Sequence, residues 1–412
     1  MTDQSTPRPL AGIRVLDLSR VLAGPWCTQQ LADMGADVVK IERPGRGDDT
    51  RHWAPPWLDG TDESSYFLSA NRGKHSVCVD FSRPEGRDLV RRLAADSDVL
   101  VENFKVGRLA GYGLDYQSLR EINPSLIYCS VSGFGQTGPY ASRAGYDFLI
   151  QAMGGLMSVT GEPDGEPMKA GVAFADVFTG LYSANAILAA LHQRHTTGTG
   201  THIDMALFDV QIGVMANQAL AYLTTGANPP RLGNAHPSIV PYQVFPTADE
   251  PLVIAVGNDD QFARLCAVLG AEELAEDQRF ATNAERVACR DTLVPILSGH
   301  LRTARRGEWL KRLETAGVPS GPINTLEQVF DDPQTQARQM RIQRRHASGR
   351  DVSLVGNPIR FDDQRLNADR APPILGQDTF TILRERLALD DATLTDLLER
   401  DVIAGADTTQ RA

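Results

Sequence analysis

The chain has 412 residues, 42% of them hydrophobic and 23% charged, and carries a formal net charge of −11. That length exceeds one typical domain, and the composition lies outside the range of disordered chains. The negative balance excludes a nucleic-acid partner gripped through its phosphates, which requires clustered cations.

The polar start Met1–Pro9 lacks an apolar signal core, and no run of about 18 apolar residues is evident, so a cytoplasmic protein without a membrane partner is expected. Ile13–Leu18 reads as a buried strand, Cys27–Met34 as a helix and Asp37–Glu42 as a second strand, the size of one βαβ unit. The alternation returns with a strand at Ser76–Asp80, a helix at Glu85–Asp96, and strands at Val99–Glu102 and Leu126–Ser132. This order predicts an α/β fold with a parallel, Rossmann-like sheet. Asp176–His195 has apolar residues at helical spacing and ends at Gly198–Gly200; His202–Met205 reads as a strand and Leu207–Leu223 as one long helix. Gly226–Gly233 is linker-like, and hairpin strands follow at Tyr242–Phe245 and Leu252–Val256, then helices to about Leu313. The expected division is 1–225, a middle α+β domain over 226–324, and a last part over 325–412 that rejoins the first. Five scattered cysteines, without a C-x-x-C pair, read as reduced thiols.

Several segments carry chemistry. The turn Ser19–Pro25 stands where a dinucleotide fold would place G-x-G-x-x-G, yet holds only Gly24, which argues against a nicotinamide or flavin. Arg43–Arg51 (RPGRGDDTR) and Asn71–Lys74 (NRGK) set cations beside glycines, a composition suited to phosphates and equally to a solvated loop. Gly133–Asp147 follows a buried strand and is rich in glycine and aromatic residues, where parallel sheets hold ligands; its Asp147 also suits an ordinary turn. Asp176 opens an apolar helix, where aspartate is a common N-cap; there the helix end favours an ionised carboxylate, already anionic at neutral pH and needing no base to act as a nucleophile. Gly233–Ser238 combines a flexible backbone with His236 and could donate to an oxyanion. No His/Asp/Glu cluster has metal-ligand spacing, so no metal is expected.

Taken together, the N-terminal GIRVLDLSRVLAGPWCTQQLADMGADVVKIERPGRGDDTR, then NRGKHSV, VENF, SGFGQTGP, the Asp176 segment and ILGQDT resemble the class III coenzyme A transferases, in that order and from about Leu10 to Leu389. The resemblance implies a large Rossmann-like domain built from both chain ends, a smaller middle domain, and an interlocked homodimer. It implies Asp176 as the covalent nucleophile, coenzyme A as substrate rather than bound cofactor, and a carboxylic acid acceptor. Carried over, the coenzyme A site comprises Val21, Leu22, Ala23, Arg43, Asn71, Arg72, Lys74, Asn103, Phe104 and Arg108. Substrate or oxyanion contacts fall on Gly135, Gln136, Arg143, Tyr146, Gly233, Asn234 and His236. Leu22 replaces the glutamine of formyl-CoA transferases, which disfavours formate or oxalate. The racemases of the same family use a histidine where this chain has Tyr146, and tyrosine is a poor proton shuttle near neutral pH. A coenzyme A-binding protein without turnover is the non-enzymatic alternative. RAGYD with AHPSIVPYQ resembles the branch that moves coenzyme A from succinyl-CoA to glutarate, so a dicarboxylate acceptor is expected, met by Arg143 or His236.

Overall fold

A computed structural model of the protein describes residues Arg8–Ala406; the residues on either side, at the outer ends of the expected first and last segments, lie outside the described range. The chain forms two compact units. Of the described residues, the first takes 8–156, Lys169–Leu220 and 333–406; the second takes Met157–Met168 and Ala221–Asp332. The second unit differs from the expected middle domain, 226–324, by running over Ala221–Asp332 and by taking in the excursion Met157–Met168, which has no signal in the sequence.

The first unit is built on β1 (Arg14–Asp17), α1 (Ala23–Asp33), β2 (Asp37–Glu42), α2 (Ser65–Ser69), β3 (Lys74–Val79), α3 (Pro84–Ala95), β4 (Val99–Glu102), α4 (Tyr116–Ile122) and β5 (Ile127–Ser132). After α5 (Asp147–Met153) come α7 (Phe174–Thr197), β6 (His202–Ala206), α8 (Leu207–Val214) and the first half of α9 (Ala216–Thr225); α6 (Leu156–Val159) falls almost wholly in the second unit. The strands pair in the order β3-β2-β1-β4-β5-β6, all parallel, and Ile403–Ala404 adds an antiparallel edge to β3. Successive strand residues feed opposite cores, as period two requires. Leu16, Val39 and Leu100 pack with Leu89 and Leu93 of α3 and Leu383 of the helix Thr379–Leu387. Val15, Val38 and Val101 pack with Leu31 of α1 and Ile187 of α7. Both faces are buried, which is why adjacent residues such as Val15–Leu16, Val38–Val39 and Leu100–Val101 are both apolar.

The ILGQDT segment is explained by this sheet. Asp378 accepts the Ser76 backbone N–H at 3.0 Å and Thr379 Oγ1 accepts that of Cys78 at 3.0 Å, which stitches the C-terminal part to β3. Gly180 lets α7 cross α1 closely, since a Cβ there would lie 2.7 Å from the Ala23 carbonyl oxygen. The expected helix over Leu207–Leu223 is broken at Met215, where Ala216 takes φ +43° and starts a second helix. Helix α7, although no unbroken apolar run, is long and apolar enough to cross a membrane, with a mean hydropathy of 1.4 over 18 residues, and it packs on α1 and the sheet through Ala184 and Ile187.

In the second unit, β7 (Tyr242–Phe245), β8 (Leu252–Ala255) and β9 (Ser320–Pro322) form an antiparallel sheet. Phe245, Ile254, Phe262, Leu297 and Trp309 share its core with the flanking helices.

Where β1 and β2 end, a buried ionic network reaches Lys74, the first residue of β3. Asp17 pairs with Lys74 at 3.1 Å, Lys40 with Asp48 at 2.9 Å, and Glu42 with Arg51 at 2.8 Å. Glu63, less deeply buried, adds a further anion that pairs with Arg51 at 3.4 Å. Burial opposes the Asp17 charge, but Lys74, Lys40 and the Ser19 and Thr28 hydroxyls outweigh it and hold its carboxyl at about 2. Lys74, desolvated beside Lys40, is lowered to about 8 and stays protonated at neutral pH. Removing one partner strands a buried charge, so Lys74→Met should cost about 3–5 kcal/mol in urea unfolding. The double variant Asp17→Asn/Lys74→Met should recover part of that loss, and a cost within about 0.5 kcal/mol for the single variant would contradict the pairing.

Candidate active site

The strand order reverses at β1, which pairs with β2 on one side and β4 on the other. Open α/β sheets bind ligands at that switch, beyond the carboxyl ends of the strands. Two segments meet there. Asn103, just after β4, accepts the Arg20 backbone N–H at 2.8 Å and donates to the Arg20 carbonyl at 2.6 Å. Asp48 accepts the Val21 N–H at 3.2 Å, and Lys40 donates to the Ser19 carbonyl at 2.7 Å. Val21 is thereby held at φ +71°, a left-handed conformation that strains a β-branched residue by about 1–3 kcal/mol.

Two adjoining cavities open at this switch, sharing Arg20, Asp49, Phe104 and Lys105. The larger, about 630 Å³, is lined by Arg43, Arg46, Lys105 and Arg108 with Phe81 and Tyr112. Among the described residues Arg43, Lys105 and Arg108 make no ion pair, whereas Arg46 shares Asp49 with Arg20. Exposed, unneutralised cations around a cavity with aromatic walls suit a phosphorylated nucleotide.

The smaller cavity, about 210 Å³, is bounded by Val21, Leu22, Ala23, Gly133, Arg143, Tyr146 and Asp176. Asp176 is not an N-cap. Helix α7 begins two residues earlier, with Ala173 at the cap and no side-chain cap bond, so Asp176 lies in the first turn with its carboxylate free for chemistry. Its ionisation also differs from the expectation. Surrounding protein bulk desolvates the carboxylate, and the Asp147 carboxylate adds a like charge, so the group is pushed up to about 7 rather than remaining an ordinary anion. The residue retains some solvent contact through the cavity. Near neutral pH this carboxylate is poised between its two forms, as befits a group with a chemical role.

The family comparison settles the class. Residues 10–379 match the profile of CoA-transferase family III. The chain belongs to that family. It is 53% identical to a succinate–glutarate CoA-transferase of Agrobacterium fabrum over 93% of this chain and 98% of that one. It is 43% identical to the human succinyl-CoA:glutarate CoA-transferase over 98% and 91% of the two chains. A crystal structure of a CaiB/BaiF family protein from Brucella suis superposes with a TM-score of 0.83 at 54% identity, covering 92% of this chain and all of that one. The protein is therefore an enzyme that transfers coenzyme A.

Within this CoA-transferase the expected site residues divide. Val21, Leu22, Ala23, Asn103, Phe104, Arg143 and Tyr146 join Asp176 around the smaller cavity, and Arg43 and Arg108 line the larger. Three expected coenzyme A ligands lie in neither. Lys74 is fully buried and donates to Asp17, the Pro25 carbonyl and Asn71. Asn71 is fully buried between Lys74 and the Phe67 carbonyl. Arg72 grips Asp33 through two nitrogens and reaches the Val355 carbonyl. Their sequence signal, cations beside a glycine, reflects buried charge pairing. Arg51 is likewise spent on Glu42.

Gly135 and Gln136 are corrected as oxyanion donors, because both N–H groups are committed. That of Gly135 goes to Ser132 Oγ at 2.9 Å and that of Gln136 to Asp204. Gly233, Asn234 and His236 belong to the second unit. There the Gly233 N–H donates to the Gly161 carbonyl at 3.0 Å, and His236 Nδ1 accepts the Ser238 N–H at 3.1 Å. Sequence reasoning missed Lys40 and Asp48, which hold the turn, and Arg20 and Lys105, which line both cavities, although Lys105 directly follows the Asn103-Phe104 pair.

The raised Asp176 carboxyl makes a stability prediction. An unfolded aspartate titrates near 3.8, so the folded chain carries a penalty for ionised Asp176 that is full above pH 7 and fades as the pH falls toward 4. Asp176→Asn should therefore stabilise the protein by about 1–4 kcal/mol near pH 8 and about half as much near pH 5.5. Thermal melts of both proteins at the two pH values check this; destabilisation at pH 8 would show that the carboxylate is not strained by its surroundings.

Proposed function

We propose that this enzyme transfers coenzyme A from succinyl-CoA to a dicarboxylate such as glutarate, with Asp176 as the covalent nucleophile. The observation that carries the reading is the continuity of the two cavities. The unpaired cations of the larger one suit the phosphates of coenzyme A, and the smaller one places a carboxylate where the thioester end would enter. The relatives named above as succinate–glutarate transferases support the choice of acids.

The chemistry follows from a carboxylate. An Asp176 oxygen attacks the thioester carbonyl, the C–S bond breaks, and coenzyme A leaves as a thiolate. The thiolate then attacks the Asp176 carbonyl of the mixed anhydride, releasing succinate and leaving an aspartyl-CoA thioester. An acceptor carboxylate repeats the sequence in reverse and departs as the new acyl-CoA. The thioester's energy is conserved because each bond broken is replaced by another acyl bond. Anhydrides hydrolyse, so the narrowness of the smaller cavity serves to limit water.

Arg143 is the group we assign to the distal carboxylate of the dicarboxylate. It lines the cavity of Asp176 and, among the described residues, makes no ion pair; its guanidinium lies 4.5 Å from the Tyr140 ring centroid and 5.3 Å from that of Phe134. The rings steady the side chain without neutralising it. We further propose a cytoplasmic homodimer. Large apolar side chains stay uncovered in this single chain, with Val172 66%, Ile212 46% and Leu220 64% exposed, as an obligate partner surface would leave them.

Incubation with succinyl-CoA and a panel of acids, read by mass spectrometry, tests the reading. Glutaryl-CoA should form, and Asp176→Ala should form none; undiminished turnover in that variant would sink the mechanism. Arg143→Met should raise KM for glutarate about 10–100-fold while changing that for acetate less than about threefold. Equal loss for both acids would remove Arg143 from recognition.

A further inference from the structure

Helix α7, which carries the nucleophile, has no side-chain cap of its own. The missing cap comes from elsewhere in the chain. Asp147, in the first turn of α5, accepts the Asp176 backbone N–H through Oδ1 at 3.2 Å. Its Oδ2 accepts from Gln151 Nε2 at 2.7 Å. Gln151 is fully buried, and its own Oε1 accepts the Ala170 N–H at 2.8 Å, gripping the segment that leads into α7. The start of α5 is placed by a backbone-to-backbone contact, for a Cβ on Gly133 would lie 2.6 Å from Gly145 Cα. A buried glutamine and an interlocked pair of glycines therefore fix one carboxylate against the helix turn of another.

We infer that Asp147, clamped by Gln151, is a positioning residue of the transfer reaction: it caps the nucleophile's helix and sets beside Asp176 a like charge that acylation relieves. This rests on the transferase reading above. When an Asp176 oxygen bonds to the thioester carbonyl and the C–S bond breaks, the negative charge leaves Asp176 with the coenzyme A thiolate. The anhydride left behind is neutral, so the repulsion with Asp147 is present before the step and absent after it. A carboxylate made more basic in this way is also a stronger nucleophile once ionised. The other groups around Asp176 do not supply the same effect. Tyr66 of α2 feels both carboxylates and is itself raised, by burial first and then by Asp176 and Asp147, so it remains a neutral hydroxyl. The cavity wall adds Arg20, Lys105 and Arg143, which oppose the repulsion, the tyrosine Tyr146, and Asp49, which is paired with Arg20 and Arg46.

Asp147→Asn tests the charge while keeping an oxygen to accept the Asp176 N–H. Single-turnover acylation by succinyl-CoA, followed by intact mass from pH 5.5 to 9, should rise in the native enzyme with a midpoint near 7. The asparagine variant should show a midpoint at least about one unit lower and a plateau at least about fivefold lower. An unchanged midpoint overturns the inference whatever happens to the plateau, because a purely structural cap would alter rate without altering titration. If Asp147→Asn does not fold by circular dichroism, Asp147→Glu retains the charge, and a midpoint that falls there overturns it equally. Should the native enzyme form no adduct at all, the transferase reading fails on its own; carbon-13 titration of Asp176 then still has to show the Asp147→Asn downshift for the inference to stand.

Discussion

The active-site turn hangs on a cluster of six buried charges at the ends of three neighbouring strands. Asp17, Lys74, Lys40, Asp48, Glu42 and Arg51 are each too costly to bury alone, and each is offset by the next. The return on that burial is geometric. Lys40 and Asp48 reach from the cluster to the Ser19 carbonyl and the Val21 N–H, so the first turn after β1 is held in a strained shape. That turn forms one wall of the cavity in which Asp176 works.

The second constraint is electrostatic and runs the other way. Most aspartates in a helix's first turn are favoured as anions by the helix end. Here the favourable N–H of Asp176 is taken up by Asp147, and burial plus the like charge lift the nucleophile's carboxyl to about 7. A residue kept in an unfavourable state costs stability, and such sites persist only where the surrounding structure holds them firmly. The α1 to α7 crossing at Gly180 and the clamp through Gln151 supply that rigidity.

Much of the fold was legible in the pattern of residues. Strands β2 and β4 run over Asp37–Glu42 and Val99–Glu102, the bounds their sequences predict, because adjacent apolar residues such as Val38–Val39 and Leu100–Val101 fill both faces of the sheet. The break at Met215 and the excursion Met157–Met168 were not legible. Helical spacing continues through the first, and the second is a short piece of chain whose place is set by distant partners such as Arg231, which donates to the Glu162 and Gly165 carbonyls. The cations of NRGK misled for a related reason: a lysine beside a glycine looks the same whether it meets a phosphate or a buried aspartate.

What the sequence determined by itself was the βα alternation, the helix bearing Asp176, and, through motifs spread from Leu10 to Leu389, the family to which these belong. Only the tertiary structure decided which charges are spent and which are free. Lys74, Arg72 and Arg51 are consumed inside the protein, while Arg43, Lys105, Arg108 and Arg143 are left for ligands. It also decided that Asp147 and Asp176, 29 residues apart, meet at one helix end. The physical reason is that the state of a charge depends on distance and desolvation, and both are properties of the folded neighbourhood rather than of adjacent residues.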